Sequence, residues 1–242
     1  LICKAGIFGL DGSSLPVCEN IHSVAGKVTE LIINCTECEP YVTARHRIMT
    51  DETEFLIKGA ELLMRATQAK HMTIATANTK PNAVKHMTDY IKSHSCADIR
   101  VVKAKYPQGN DSHLIYTLKG VKTSDEKHPS DTGYAVFNAE TCIAVYHAVY
   151  NGMPLTSTDI TVDGNAIIKP CNYRVPIGTS IGDIISNCGA TEDMCKIILG
   201  NPMNGTAQWD INEVITKGTS SLLAFTDKTS DNTQGECIHC GK

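Results

Sequence analysis

Residues 34–40 place five chemically active side chains directly after an apolar run. Residues 31–33 read Leu-Ile-Ile and predict a buried parallel strand. The polar segment that follows carries an amide, two thiols and two carboxylates, from Asn34, Cys35, Cys38, Glu37 and Glu39. Ligands of open α/β sheets bind at the carboxyl ends of the strands. The segment is therefore a candidate site, and the alternative interpretation is a solvated loop with two incidental cysteines.

A third thiol has a sequence context that favours reactivity. Cys18 follows a glycine- and serine-rich stretch and stands at the start of a predicted helix. Peptide dipoles at a helix N-terminus lower a thiol pKa and favour the thiolate. We therefore predict that Cys18, with Cys35 and Cys38 on a facing loop, forms a redox-active thiol centre. The alternative is three buried small residues.

Hydrophobic periodicity predicts an α/β fold up to Gly152. Four apolar segments alternate with helical patterns, which implies a mainly parallel, Rossmann-like sheet covered on both faces. The predicted strands are Thr29–Asn34, His71–Ala77, Ile99–Tyr106 and Tyr134–Phe137. A single long helix is predicted over Asp51–Ala69, with Thr50 or Asp51 as its N-cap.

The pattern after Gly152 predicts a second, smaller unit. The order of its predicted elements, two strands in a hairpin, one helix and two further strands, suggests a β-grasp fold. The hairpin strands are Thr158–Val162 and Ala166–Lys169, the helix covers residues 179–189, and the later strands are Lys196–Leu199 and Leu222–Phe225. We predict three parts: residues 1–152, residues 153–229, and a linker over residues 230–242 that carries Cys237 and Cys240.

Composition excludes several classes of function. The 242 residues are 42% hydrophobic with a formal net charge of -4, and no basic run suggests nucleic-acid binding. No stretch is apolar enough for a membrane span. Eleven cysteines without a recognisable signal peptide favour a reducing compartment, so we expect the cytoplasm or the inner face of a membrane. The chain begins at Leu1 and is expected to be a fragment.

Four loop motifs stand at predicted strand ends in a specific order. They are the glycine loop of residues 5–16, Asn34–Pro40, Lys105–Gly109 and Asn138–Thr141. This order resembles the RnfC family and, more distantly, the FMN-carrying subunit of respiratory complex I. Residues 172–183, 198–205 and 214–220 are similar to the SLBB β-grasp domain of that family, so the resemblance covers nearly the whole chain.

The resemblance implies a set of cofactor-binding residues. In the family these loops hold FMN, and Gly12, Asn34, Thr36 and Glu37 would lie on one side of it. Gly109, Asn110 and Asp111 would line the other side, and Asn138 and Thr141 would hold the phosphate at a helix start. Cys237 and Cys240 would be two ligands of a [4Fe-4S] cluster in the full-length protein, and this fragment is expected to carry no cluster.

The glycine loop departs from the family pattern. Asp11 and Ser14 stand where the pattern has glycines, Leu15 replaces a phenylalanine, and Asn20 occupies the lysine position. These changes predict a degenerate flavin site with no FMN in this fragment. The altered loop most resembles the PrdC type, the electron-transfer proteins associated with D-proline reductase, in which Cys18 would stand where selenocysteine occurs.

Three functions follow from these observations. The leading hypothesis is an electron-transfer protein that passes electrons to a partner reductase, with D-proline reductase as candidate and Cys18 as redox thiol. The first alternative is an NADH:acceptor flavoenzyme with a working FMN site, and therefore an NADH-dependent oxidoreductase component. The second is a non-catalytic docking module that uses the β-grasp unit.

Overall fold

The computed structural model describes residues 1–9, 16–95, 97–123 and 129–226. The predicted site residue Gly12 and the predicted cluster ligands Cys237 and Cys240 lie outside these ranges, as does Cys96. None of the helices in the described ranges is long and apolar enough to cross a membrane.

The first sheet is wholly parallel. Its strands are β1 (Glu30–Cys35), β2 (His71–Ala77), β3 (Asp98–Val102) and β4 (Tyr134–Asn138), in the spatial order β3-β2-β1-β4. The apolar run therefore lies in the central part of the sheet, and its side chains are fully buried. The carboxyl ends of β1, β3 and β4 reach the same edge, which is the edge where the polar loops follow.

Helices cover both faces of this sheet. They are α1 (Val17–Val24), α2 (Ala44–Asp51), α3 (Thr53–Thr67), α4 (Pro81–His94), α5 (Asp111–Lys119) and α6 (Ala139–Tyr150), with a 3-10 turn at Pro129–Thr132. Leu31 and Ile33 pack in one core with residues of α1, α3, α4 and α6, whereas Ile32 packs with Leu114 and Ile115 of α5. Side chains of a strand point alternately to the two faces, so both faces of β1 require apolar residues.

The second sheet has a β-grasp arrangement. Strands β5 (Ser157–Asp163), β6 (Cys171–Pro176), β7 (Met194–Leu199), β8 (Thr206–Gln208) and β9 (Ser221–Thr226) lie in the order β6-β5-β9-β7-β8. The pair β5–β9 is parallel and the other pairs are antiparallel. Helix α7 (Ile181–Cys188) packs its buried isoleucines against this sheet in a separate core. The predicted fold class is confirmed, while the division at residues 152 and 153 stays a prediction.

Three predicted elements are wrong in detail. The strand predicted over Ile99–Tyr106 ends at Val102. The chain after Asp163 runs through seven residues before β6 begins at Cys171, so the hairpin partner lies later than Ala166–Lys169. The helix predicted over Asp51–Ala69 is α3, which begins at Thr53, and the residues proposed as its N-cap belong to the preceding helix α2. Thr50 donates its hydroxyl to carbonyls within α2, and the N-cap of α3 is Glu52, which makes no side-chain capping bond.

Strand β5 is joined to the start of α2 by hydrogen bonds. The Thr161 hydroxyl oxygen accepts from the backbone N–H groups of Thr43 and Ala44, each at 3.0 Å. Its own hydroxyl donates to Asn172 at 2.8 Å. Free N–H groups at a helix start need acceptors, and here a residue of the β-grasp unit supplies one. The two units are therefore docked through a helix that borders the candidate site.

Candidate functional site

A cavity of about 710 Å³ lies between the parallel sheet and the β-grasp unit. We call its first side the sheet wall, formed by lining residues within 34–45, 106–112 and 138–140 at the carboxyl ends of β1, β3 and β4. The β-grasp wall consists of lining residues within 199–205 and 218–220. The sequence-predicted residues that line the cavity are Asn34, Thr36, Glu37, Cys38, Gly109, Asn110, Asp111 and Asn138.

Asn34 ties two loops of the sheet wall together. Its side-chain N–H donates to the Gly109 carbonyl at 2.8 Å, across from β1 to the loop that follows β3. Its side-chain oxygen accepts from both the Thr36 hydroxyl and the Thr36 backbone N–H, at 2.6 and 3.1 Å. The backbone of Gly109 approaches Thr36 closely, since a Cβ at position 109 would lie 3.2 Å from the Thr36 hydroxyl oxygen. The amide therefore fixes the geometry of the wall before any ligand binds.

Glu37 is buried and held from two directions. One carboxylate oxygen accepts from the backbone N–H groups of Arg45 and His46 at the start of α2, at 2.5 and 3.3 Å. The other oxygen contacts the ammonium group of Lys80. The Glu37 side chain is 3% exposed and the Lys80 side chain 11%. Burial alone lowers the pKa of Lys80 to about 8, whereas the adjacent carboxylate favours the charged ammonium. Glu37 therefore anchors α2 as well as lining the cavity.

Arg45 and Glu140 form a second charged pair in the sheet wall. Arg45 Nε lies 2.7 Å from a Glu140 oxygen, and Arg45 Nη1 donates to the Thr36 carbonyl at 2.9 Å. The second Glu140 oxygen is buried and has no hydrogen-bond partner among the described residues. A buried acceptor without a donor is costly, so a ligand that donates a hydrogen bond would satisfy it.

The two helix starts at the cavity differ in capping. Asn110 precedes α5, and its side-chain oxygen accepts from the Ser112 backbone N–H at 3.1 Å. Asn138 precedes α6 and makes no side-chain capping bond. Backbone N–H groups at a helix start attract anions. Those at the start of α6 receive no hydrogen bond from the N-cap side chain. Thr141, predicted as a phosphate ligand, is buried in α6 and is not among the lining residues.

The three predicted redox cysteines have different environments. Cys38 lines the cavity and is partly exposed. Cys35 is fully buried, and burial raises the pKa of its thiol to about 12. Cys18 is in the first turn of α1 as predicted, but it is not among the lining residues. A hydrogen bond with the Cys3 thiol, with burial as the next cause, raises the pKa of Cys18, which is opposite to the direction expected from the helix start alone.

The β-grasp wall is built from glycines and small polar residues. Asn201 accepts a hydrogen bond from the Ser220 hydroxyl at 2.9 Å, and Asn204 is exposed at the cavity. A direct bond joins the two walls, since the Met203 backbone N–H donates to Glu39 at 2.9 Å. The sequence identified residues 198–205 and 214–220 only as parts of the β-grasp domain and did not predict that residues within them line the cavity. It also missed Arg45, Lys80 and Glu140, although Glu140 lies within a motif that it singled out.

Residues 2–147 match the Nuo51 FMN-binding domain family. That range includes every loop of the sheet wall. The chain belongs to this family. It is also 36% identical to a component of an ion-translocating oxidoreductase complex of Rhodobacter capsulatus, the subunit designated C, over 100% of this chain and 47% of the relative. Over its whole length the chain is therefore similar to RnfC-type subunits.

Two further relatives are similar to this chain in sequence, and one solved structure shares its fold. The corresponding subunit of a proton-translocating ferredoxin:NAD(+) oxidoreductase complex of Clostridium ljungdahlii is 35% identical over 100% of this chain and 53% of the relative. A Na(+)-translocating counterpart of Acetobacterium woodii is 31% identical over 100% of this chain and 55% of the relative. This RnfC-like chain thus spans about half the length of these relatives. An NAD+-reducing [NiFe]-hydrogenase structure shares the fold with a TM-score of 0.78 at 20% identity, covering 94% of this chain and 46% of that chain.

The cavity has the polar lining and the volume that a flavin-sized ligand requires. Asn138 and the unpaired Glu140 oxygen offer polar groups at the cavity, and 710 Å³ is within the range of pockets for small molecules and cofactors. The closely approaching loops at Asn34 and Gly109 provide a narrow, fixed side. In the part of the chain that the structure describes, no group of three or more His, Cys, Asp or Glu side chains is arranged to hold a metal ion.

Proposed function

We propose that this chain is the cofactor-bearing part of an RnfC-like electron-transfer protein, and that its cavity binds FMN and serves electron transfer to a partner reductase. The observation that carries the proposal is the convergence of the three polar loops after β1, β3 and β4 on one cavity. Membership of the Nuo51 FMN-binding domain family supports it. The family's flavin chemistry would be supplied by the cofactor, and the chain would contribute binding and orientation.

The residues of the sheet wall would have distinct roles. Glu140 would accept a hydrogen bond from the ligand with its unpaired carboxylate oxygen. Asn138 would offer its side-chain amide, which makes no capping bond to α6. Asn34 would act by position, because its partners are already Gly109 and Thr36. The Glu37–Lys80 pair would hold α2, and with it Arg45, at the edge of the cavity. The β-grasp wall would exclude water from the side opposite the sheet.

FMN titration of the purified chain tests this proposal. We expect quenching of flavin fluorescence with saturable, stoichiometric binding. Replacement Asn138→Ala should weaken binding by about tenfold, the effect of losing one or two neutral hydrogen bonds. The matched control is Asn151→Ala, because Asn151 is at the opposite end of α6, where its side chain contacts His147. Absence of binding, or equal weakening by both variants, would contradict the flavin assignment.

A second candidate is a thiol centre in a cavity that has lost its flavin. Two observations favour it: Cys38 lines the cavity, and Asp11 and Ser14 replace glycines of the family pattern. In this case electrons would pass through Cys38 rather than Cys18 or the buried Cys35. A chain that binds no FMN but loses electron transfer to its partner when Cys38 becomes Ser would support this candidate.

The partner is a narrower part of the proposal. The three relatives are subunits of oxidoreductase complexes, which supports a protein redox partner. The PrdC-like glycine loop favours D-proline reductase as the electron acceptor, and NADH is the candidate electron donor. Rates of NADH oxidation with and without purified proline reductase test both, because an electron-transfer chain should oxidise NADH faster when its acceptor is present and a docking module should not.

A further inference from the structure

The most exposed large hydrophobic side chain in the described part of the chain is Trp209, at 98%. It follows β8 directly, and β8 is the last strand of the second sheet, paired among the described residues only with β7. Met203 and Ile211 on the same segment are also exposed. We call Met203, strand β8, Trp209 and Ile211 together the β8 surface. Exposed apolar side chains beside an open strand edge are typical of a surface that binds another protein.

The backbone after Trp209 is held against the start of α7. The Gly182 N–H donates to the Ile211 carbonyl at 2.8 Å. The Ile181 N–H donates to the Glu213 carbonyl at 2.9 Å. These bonds fix the path of the segment, so its exposed side chains are presented on an ordered support. An ordered surface binds a partner with a smaller entropy cost.

Acidic side chains predominate around the β8 surface. Asp210 and Glu213 lie within residues 200–216, which contain no lysine, arginine or histidine. Asp183 is exposed in the first turn of α7. The one basic side chain of the neighbouring strand is Lys196, just beyond the residues of β7 that pair with β8. An exposed tryptophan with an excess of carboxylates favours a cationic partner, because lysine and arginine stack on tryptophan and pair with carboxylates.

The same charges argue against two other occupants of this surface. Segments that lie on membranes are rich in lysine and arginine, and carboxylates beside Trp209 would be repelled by anionic headgroups. A second copy of the chain would bring like charges together. Strand β8 is three residues long and contains no proline or charged residue that would block pairing. An extended segment therefore has room along β8, but its side chains must supply most of the recognition.

The β8 surface borders the cavity. Asn204 and Gly205, which precede β8, are lining residues of the β-grasp wall. The Met203 N–H donates to the Glu39 carboxylate of the sheet wall at 2.9 Å. A partner seated on β8 would therefore lie beside the cavity, on its β-grasp side. This position suits a protein that exchanges electrons with a ligand held there, and neither the flavin nor the Cys38 interpretation uses Trp209.

We propose that the β8 surface binds an extended, positively charged segment of a protein redox partner. The segment lies along β8, places a lysine or arginine side chain over the Trp209 ring, and pairs other basic side chains with Asp210 and Glu213. The redox role of the partner rests on the proposed function, whereas the docking surface itself requires no flavin. Because opposite charges steer the encounter, association is faster at low ionic strength.

Fluorescence of Trp209 tests the docking surface, because the chain contains no other tryptophan. The probe is a short synthetic peptide that alternates leucine with arginine, and its counterpart carries glutamate at every arginine position. We expect the basic peptide to change the Trp209 emission saturably, with weaker binding at high salt, and the acidic peptide to leave it unchanged. An unchanged emission with the basic peptide, or equal binding of both peptides, would show that the proposal is wrong.

Variants measured by calorimetry separate this surface from general attraction to an acidic protein. Trp209→Ala should weaken binding of the basic peptide by about tenfold. Asp210→Asn with Glu213→Gln should weaken it about two- to fivefold. The charge-matched control is Asp89→Asn with Asp98→Asn, on α4 and β3 of the other unit, and should leave binding unchanged. Equal weakening by this control would overturn the proposal.

Two further measurements decide between occupants. A dimer of the free chain that is lost in Trp209→Ala would assign the surface to a second copy. A Trp209 emission shift with phosphatidylglycerol vesicles would assign it to a membrane. Either result overturns the proposed occupant. The peptide experiments are performed on the 242-residue chain without added FMN, so their outcome is independent of the flavin titration, and either proposal can fail alone.

Discussion

The two walls of the cavity differ in how far their polar groups are already committed. In the sheet wall, Asn34 bonds to Gly109 and Thr36, and Glu37 bonds to Lys80 and the start of α2. In the β-grasp wall, Asn204 is exposed and Asn201 bonds to a neighbouring serine of the same unit. The first wall is therefore organised before a ligand arrives, and the second can adjust to it. Preorganised groups favour binding because no ordering cost remains.

The largest effect on stability should come from removing the cation that pairs with Glu37 of the sheet wall. Lys80→Met leaves the Glu37 carboxylate buried without its counter-charge, which should lower the free energy of unfolding by about 3–5 kcal/mol. The matched control is Lys58→Met, which breaks an exposed pair with Glu54 and should change stability little. Urea unfolding measures both variants.

A double variant checks the cause of that loss. Lys80→Met combined with Glu37→Gln removes the stranded charge, so it should be more stable than Lys80→Met alone. If Lys80→Met costs no more than Lys58→Met, the sheet wall is not organised by this pair, and the contrast between the two walls fails.

Cys38 of the sheet wall and the buried Cys35 behind it should differ strongly in their reactivity with alkylating reagents. At a pKa of about 12, against 9.0 for an ordinary thiol, Cys35 holds about a thousandfold less thiolate at neutral pH. Iodoacetamide at pH 8 should therefore label Cys38 in the folded protein and reach Cys35 only after denaturation. Both cysteines lie in the same tryptic peptide. Fragmentation spectra of that peptide are therefore needed to tell which of the two is labelled.

The same pKa has a consequence for stability. Between pH 9 and 12 the unfolded chain loses the Cys35 proton while the folded chain keeps it, so the unfolding free energy should fall as pH rises through this range. Urea unfolding at pH 8 and pH 10 measures the decrease, and Cys35→Ala should make it smaller. An equal decrease in both proteins would contradict the assignment of this effect to Cys35.

A smaller loss of stability should follow from weakening the contact between the parallel-sheet unit and the β-grasp unit. Thr161→Val keeps the shape but removes the acceptor for the Thr43 and Ala44 N–H groups, which should cost about 1–3 kcal/mol. The control Thr50→Val removes a hydroxyl that bonds within its own helix. Thermal unfolding should broaden or split for Thr161→Val alone, because the docking of the β-grasp unit on α2 is weakened.

The smallest effect is expected in the β-grasp wall. Asn204→Ala removes an exposed amide, so the unfolding free energy should stay unchanged while FMN binding weakens by about two- to fivefold. Asn151→Ala again serves as the control. A stability loss comparable to that of Lys80→Met would show that the β-grasp wall is as rigid as the sheet wall.

The amino-acid sequence by itself determined the elements and their shared edge. The three residues before Asn34 are all apolar, as expected of a strand that is covered by helices on both faces, and β1 is such a strand. Because the carboxyl ends of parallel strands meet at one edge, Asn34, Gly109 and Asn138 could be expected together, and the structure brings them to one cavity. The alternating helices and the later β-grasp pattern follow from the same local periodicity.

Only the tertiary structure decided which groups become partners. Periodicity reports the face on which a side chain lies, but a contact between distant elements depends on how whole surfaces pack. Lys80 could not be recognised as the counter-ion of Glu37, since nothing local joins β1 to the start of α4. The same holds for Thr161 of β5, which accepts hydrogen bonds from the start of α2, and for the second wall of the cavity.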